Sequence, residues 1–413
     1  MGSKLSPVWS KLTPLQVTHG QGSWVFTTEG AEYLDYSAGI AVVSTGHAHP
    51  QVVEAISKQA GRFIHAQVNC YTHDLLEPLA EKLDSITPTS IDQFFYSNSG
   101  AEITEASVKL SKHATGRPNT IVFSGSFHGR THMAMAMTAS KTIYRAQYGP
   151  LPGGVFVAPF PDVAAVPAEQ HDAAVDRALA GFDYLLKSQT APEETAAVII
   201  EPVQGEGGYI PAPKRFIEGI VERCAKHGIM FIADEVQSGF GRTGKMFAVD
   251  HYDVQPDIIC MAKGIASGFP FSALGARAEL MAKWIPGSHG GTYGGNPIGC
   301  AAALATIDVL TAPGFLDNVN ARGEQLREGL NSIARDHVGI SDVRGLGLMS
   351  AAQFNDPSRV AAIIKHALEE SRVILMNAGT YANVIRFMPP LVTTADEIDI
   401  ALGAIRSAMK ATS

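Results

Sequence analysis

Charge is scarce in this chain and nowhere concentrated in one sign. Charged side chains make up 17% of 413 residues, 32 basic against 40 acidic, for a net charge of −8. With no Lys/Arg-rich run to neutralise a nucleic-acid backbone, nucleic-acid binding is not expected. Cysteine is scarcer still. Cys70, Cys224, Cys260 and Cys300 lie far apart, without the paired spacing of a zinc site or a redox motif. No metal is therefore expected, and the four read as reduced, mostly buried thiols of a cytoplasmic protein. A long apolar span is also missing. The uncharged stretch from Ile285 to Ile307 is broken by Pro286, Gly287, Gly290, Gly291, Gly294, Gly295, Pro297 and Gly299, so it reads as a loop feeding a short buried helix, not a membrane helix. Met1 to Ser10 lacks the basic and apolar regions of a signal peptide, and no membrane partner is expected. The Gly-Lys-Ser/Thr ending of a Walker loop and the three-glycine dinucleotide fingerprint are both absent.

What is present is the composition of an ordinary globular protein: 46% hydrophobic residues, 40 Gly and 23 Pro, which excludes disorder, collagen and long coiled coil. The length predicts one dominant core with a satellite domain. Phe94–Tyr96, Thr120–Phe123, Ala197–Ile200, Ile229–Ala233 and Ile258–Ala262 are short apolar runs bounded by Gly, Pro or acidic residues, and read as buried strands. Between two of them, Pro213–His227 places Phe216, Ile217, Ile220, Val221 and Cys224 on one helical face and stops before Gly228. A helix leading into a buried strand is half of a βαβ unit, so the expected fold class is α/β with a mainly parallel sheet. The termini read differently. Short alternating pieces at Trp24–Phe26 and Tyr33–Tyr36, a helix after Pro50, and helices near Pro357–Glu370 and Thr394–Ala411 predict a smaller α+β domain built from residues 1–54 and 321–413, against a large domain of 55–320. Phe315–Asp336 reads as a long polar-faced helix near that boundary, and Thr394 with Glu397 fits a capping box.

Four loops that leave strands carry the chemistry. Asp234 ends the strand Ile229–Ala233, and Lys263 directly follows Ile258–Ala262. A lysine desolvated there has a lowered pKa and can form a Schiff base with a carbonyl, while a neighbouring Asp can hold a pyridine nitrogen protonated. The same spacing equally suits a lysine that ends a strand in solvent and an Asp that caps the next turn. Ser97-Asn98-Ser99-Gly100-Ala101-Glu102 opens a helical stretch, where backbone N–H groups and the helix dipole can seat a phosphate; an ordinary N-cap uses the same residues. Gly125-Ser126-Phe127-His128-Gly129-Arg130-Thr131 offers an aromatic to stack on a flat ring and an arginine to clamp a carboxylate, or else a core Phe and a solvated Arg. Glu201-Pro202-Val203-Gln204-Gly205-Glu206-Gly207-Gly208 places two carboxylates in a Pro/Gly-rich loop, a composition shared by surface turns.

Together these segments resemble the class III, or ω-amino-acid, aminotransferases of the aspartate-aminotransferase fold (fold type I), which use pyridoxal 5'-phosphate. The resemblance runs from Gly39-Ile40-Ala41-Val42 and Gly46-His47 to Arg386-Phe387-Met388-Pro389-Pro390. Its most specific parts are Phe231-Ile232-Ala233-Asp234-Glu235-Val236-Gln237-Ser238-Gly239-Phe240-Gly241-Arg242-Thr243-Gly244 and Ala262-Lys263-Gly264. By resemblance, Lys263 is the Schiff-base lysine and proton shuttle and Asp234 the pyridinium partner. Gln237 is expected to bond the ring hydroxyl, with Val236 and Phe127 on the two ring faces and His128 among the cofactor contacts. Ser99, Gly100 and Ala101 are expected to bind the phosphate, and Thr292 to reach the phosphate of the neighbouring subunit in a homodimer, with pairing of dimers into a tetramer left open.

The family also supplies roles for the substrate residues. Arg130, after His-Gly, is expected to take a carboxylate. Glu206 pairs with Arg386 and neutralises it when an ω-amine enters; when glutamate binds, the pair opens and Arg386 takes the α-carboxylate. Ile40 is closer to the 4-aminobutyrate enzymes than to the acetylornithine enzymes. Two departures are local: Ile103-Thr104 follow Ser-Gly-Ala-Glu where the family has Ala followed by Val or Asn, and Ser44 stands where the 4-aminobutyrate enzymes often have Asn. The implied activity is transfer of an amino group from an ω-amino acid or amine, 4-aminobutyrate or similar, to a 2-oxo acid in ping-pong half-reactions. An amine:pyruvate transaminase is the alternative within the family, and aminomutases, racemases and decarboxylases share the fold.

Overall fold

The computed structural model describes residues 4–161 and 163–412. At its centre is a seven-stranded sheet in the order Gln93–Ser97, Ser272–Ala276, Ile258–Met261, Met230–Asp234, Thr195–Ile200, Asn119–Phe123, Val155–Ala158. All of its strands run in one direction except Ser272–Ala276, which is antiparallel to both neighbours. Period-two alternation divides each central strand between two cores. Val122, Ala197, Ile199, Ile232, Ile258 and Cys260 meet Ile103, Ala106 and Leu110 of the helix Gly100–Thr115. On the other face Ile121, Phe123, Val198, Ile200, Phe231, Ala233 and Ile259 share a core with apolar residues of the helices His171–Ser188 and Lys214–His227. A sheet covered on both sides needs apolar residues at every position, and Thr195–Ile200 is buried throughout.

Every strand read from the apolar runs is present. Two strands of this sheet were not read: the edge strand Val155–Ala158 and the antiparallel Ser272–Ala276, whose sequence, SALGA, contains no β-branched or aromatic residue. The uncharged stretch becomes the buried helix Pro297–Leu310, and among the described residues no single helix is long and apolar enough to cross a membrane.

The chain ends meet. Val17–Gln21, Trp24–Thr27 and Glu32–Asp35 form an antiparallel sheet, to whose edge Val373–Ile374 adds in parallel, pairing Val373 with Leu34 and Ile374 with Asp35. A second antiparallel sheet orders Ile340–Leu346, Met349–Phe354, Val384–Phe387 and Met376–Ala378. The helix Phe315–Asp336 runs unbroken through residue 320, so a helix and not a loop carries the chain across the boundary read from the sequence. The helix Ala395–Ala411 has the capping box expected at Thr394 and Glu397. The Glu397 carboxylate also accepts from Ser23 Oγ (3.0 Å) and Trp24 Nε1 (2.7 Å), so one cap ties the last helix to the first sheet.

One element was unreadable. Ala38, Gly39, Ile40 and Ala41 all have positive φ, 45°, 65°, 67° and 60°, which makes a turn of left-handed helix, a conformation that costs an L-residue about 1–2 kcal/mol each. Asp35 holds it. Its Oδ1 accepts from Ser37 N (2.9 Å), Ser37 Oγ (2.6 Å) and Ala38 N (3.2 Å), and its Oδ2 lies 2.8 Å from His47 Nε2.

Candidate active site

The carboxyl ends of the parallel strands are where an α/β sheet offers its loops to a ligand. Here those loops enclose a cavity of about 720 Å³. Ile40, Ser99, Gly100, Ala101, Phe127, His128, Arg130, Glu206, Asp234, Val236, Gln237, Lys263 and Arg386 all line it. Among the residues named from the sequence only Thr292 does not; it is exposed, in the loop before Pro297–Leu310.

At the inner end, Asp234 is buried at the last position of its strand. Its Oδ2 lies 2.7 Å from His128 Nδ1, and its Oδ1 accepts from Val236 N at 3.1 Å. Burial works against charge on the His128 imidazole, but the hydrogen bond and charge of Asp234 win and raise its pKa above the ordinary value. Lys263 projects from a residue with φ of 47°, strained backbone of the kind that persists at functional sites. Burial brings its amine down to about 8, with Glu206, Asp234 and Glu201 opposing and Arg386 assisting. At this pKa about a tenth of the amine is unprotonated at pH 7, far more than for an ordinary lysine, and able to act as nucleophile or base.

Ser99 caps the helix Gly100–Thr115, whose first N–H groups have no acceptor within the helix and face the cavity end with the positive end of the dipole. Gly100 is required there: a Cβ would stand 2.8 Å from Val236 Cγ1.

The cavity also holds two arginines, Arg386 and Arg130. Arg386 lies on the strand Val384–Phe387, flanked by Met349–Phe354 and Met376–Ala378, and is only 3% exposed. Its guanidinium donates to Glu206 Oε1 at 2.5 Å. Burial pushes the Glu206 carboxyl up, but the Arg386 charge and hydrogen bond outweigh it and hold it below the ordinary range. Arg130 stands apart from this pair, its guanidinium carbon 4.6 Å above the Tyr144 ring.

Three titratable residues that line the cavity went unread or unassigned. Glu201 was seen only as a loop carboxylate. It accepts from Phe127 N (2.8 Å) and Gly205 N (3.0 Å), clamping together the loops that carry Phe127 and Glu206, and burial raises its carboxyl to about 7. Tyr144 and Lys141 also line the cavity; they come from a short turn with no periodicity and no strand end beside it. The two departures from the family pattern lie near the site. Thr104 Oγ1 donates to the His128 carbonyl at 2.8 Å, and Ser44 Oγ would be 2.7 Å from a Cβ at Gly264, the residue after Lys263.

These residues fit pyridoxal 5'-phosphate. An amine and a carboxylate share one cavity with a side-chain-free helix start, and Gln237 Oε1 is buried without a partner, an acceptor suited to a ring hydroxyl. The chain matches the family Aminotransferase class-III over residues 5–409. It is 40% identical to the 5-aminovalerate aminotransferase of Pseudomonas putida, over 96% of this chain and 93% of that one. It is 39% identical to the 4-aminobutyrate aminotransferase of Escherichia coli, over 95% and 92%. An amine transaminase from an uncultivated Pseudomonas species, solved in its pyridoxal-phosphate-bound form, superposes with a TM-score of 0.91 at 28% identity, covering 100% of this chain and 98% of that one. The chain belongs to the class III aminotransferases, pyridoxal-phosphate enzymes that move an amino group between an amino donor and a 2-oxo acid.

Proposed function

We propose that the amino donor is an ω-amino acid of the 4-aminobutyrate or 5-aminovalerate class and that the acceptor is a 2-oxo acid of the 2-oxoglutarate class. The observation that carries this reading is the Glu206–Arg386 pair facing a cavity that holds a second arginine, Arg130. An ω-amino acid brings one carboxylate, which Arg130 takes, and Arg386 stays neutralised by Glu206. Glutamate brings two, and the second displaces Glu206 from Arg386.

When bound, pyridoxal phosphate supplies an electron sink for the substrate carbon that loses a proton. The chain's own residues do the rest. Ser99, Gly100 and Ala101 hold the phosphate, Gln237 the ring hydroxyl, and Val236 and Phe127 the two ring faces. Asp234, fixed by His128, keeps the ring nitrogen protonated. Lys263 Nζ anchors the cofactor and moves the proton within the substrate. We assign residues 55–320 to the cofactor domain and both termini to the smaller one. The working unit in this reading is a cytoplasmic homodimer in which Thr292 reaches the partner's phosphate; the exposure of Thr292 away from its own cavity and the burial of three of the four free thiols support it.

The test measures each half-reaction alone by cofactor absorbance. Glu206→Ala leaves Arg386 without its carboxylate beneath a bound ω-amine, an orphaned charge that costs about 2–5 kcal/mol when buried and less where water enters. It lowers kcat/KM for 4-aminobutyrate more than for glutamate, and Arg386→Ala does the reverse. Equal losses for both donors in both variants would make the pair structural and favour an amine:pyruvate transaminase.

A further inference from the structure

Tyr144 touches both carboxylate-binding arginines' surroundings at once. Its hydroxyl donates to Glu206 Oε2 at 3.1 Å while Arg386 holds Oε1. Its ring carries the Arg130 guanidinium at 4.6 Å and meets the Phe127 ring edge-on at 5.2 Å. The ring is thus wedged between two site residues, which fixes the direction of the hydroxyl. The backbone of Glu206 is fixed as well, since its carbonyl accepts from Gly379 N at 3.0 Å. Any exchange at Arg386 therefore turns the Glu206 side chain and breaks the bond to Tyr144 along with the bond to Arg386.

We propose that Tyr144 is a specificity-determining residue: its hydroxyl sets the cost of exchanging Glu206 for an incoming α-carboxylate on Arg386, while its ring seats Arg130. The inference rests on the exchange proposed above. An ω-amine meets Glu206 paired before and after binding, so the hydroxyl cancels for that substrate. An α-amino dicarboxylate meets it paired and leaves it displaced, so the hydroxyl counts in full against that substrate. The side chain raises the barrier to one donor class without touching its carboxylate.

Unreactive acids read this out as binding to the cofactor-loaded enzyme. Glutarate spans both arginines and butyrate needs only Arg130. Calorimetry on Tyr144→Phe is expected to raise the glutarate-to-butyrate affinity ratio about tenfold, the low end of the worth of one hydrogen bond to a carboxylate. The ratio of kcat/KM for glutamate to that for 4-aminobutyrate rises by a similar factor. In a Glu206→Ala background the same change adds nothing. Tyr144→Leu, which also removes the ring, weakens butyrate about threefold relative to Tyr144→Phe. An unchanged or lower ratio in Tyr144→Phe, or the same increment without Glu206, overturns the role of the hydroxyl; equal butyrate affinity in the Leu and Phe variants overturns that of the ring. If Glu206→Ala itself leaves the ratio unchanged, the exchange is what fails; if it shifts the ratio and Tyr144→Phe does not, the tyrosine alone is at fault.

Discussion

In the proposed mechanism Lys263 concentrates the site's chemistry in one atom. Its Nζ sits where burial lowers the amine to about 8 and where Asp234 and Glu206 are both within electrostatic reach. Lys263→Ala is expected to lower turnover by roughly a hundred- to ten-thousandfold, the range for loss of a positioned acid–base group. It should still hold cofactor through the helix start and Asp234, with a changed visible spectrum of the loaded protein. Turnover close to wild type in that variant would remove Lys263 from the mechanism. Lys263 and Asp234 were legible in the sequence because each ends an apolar run, and strand ends are where chemistry is placed. Tyr144 was not, since its role depends on a turn that brings it back over Phe127, a contact that local spacing does not encode. The naming of the ring, phosphate and carboxylate contacts came from the family resemblance and not from periodicity.

Among the elements, those with strong apolar patterns were read within a residue or two, as in the helices Lys214–His227 and Phe315–Asp336. Two of the misses have causes of their own. Ser272–Ala276 is built from small residues because it is packed on both faces and between two strands, and smallness carries no period. The left-handed turn at Ala38–Ala41 has only Gly39 to announce it; hydrogen bonds donated by Ser37 and Ala38 to the Asp35 carboxylate, itself held by His47 from farther along the chain, override the preferences of two alanines and an isoleucine. This turn sets Ile40 at the cavity wall. Asp35→Ala, which removes the acceptor for three donors and the partner of His47, is expected to destabilise the protein by about 2–4 kcal/mol. Chemical denaturation measures that loss, and the KM for the ω-amino acid should rise with it as Ile40 loses its place. A loss below about 0.5 kcal/mol would mean that the turn holds without its clamp.

For the molecule as a whole, buried carboxyls make stability depend on pH. Burial raises Glu235 to about 7, although its oxygens accept from Ser238 Oγ (2.5 Å) and Val249 N (2.8 Å). Between the ordinary Glu value of 4.5 and about 7, the folded chain holds a proton that the unfolded chain has released. The contribution of this group is therefore fully present below 4.5 and is lost as pH rises through 7. Glu235→Gln, which mimics the protonated form, is expected to gain in Tm relative to the parent as pH rises from 5 to 8. A Tm difference that stays flat over that range would show that Glu235 ionises in the fold at no cost.

The parallel pairing of Val373–Ile374 with Glu32–Asp35 also has a consequence in time. The first sheet waits for a strand that is made roughly 340 residues later, and at synthesis rates of about 5–20 residues per second that interval is on the order of 20–70 s. Arg386 and the cap at Thr394, which fastens the last helix to Ser23 and Trp24, emerge later still. On the ribosome the sheet that will bear Asp234 and Lys263 can be folding while residues 17–35 are still an open edge. The exposed pairing groups of such an edge are an invitation to neighbouring chains, so the N-terminal strands are where a chaperone has most to protect and where a stalled nascent chain is most exposed to proteolysis.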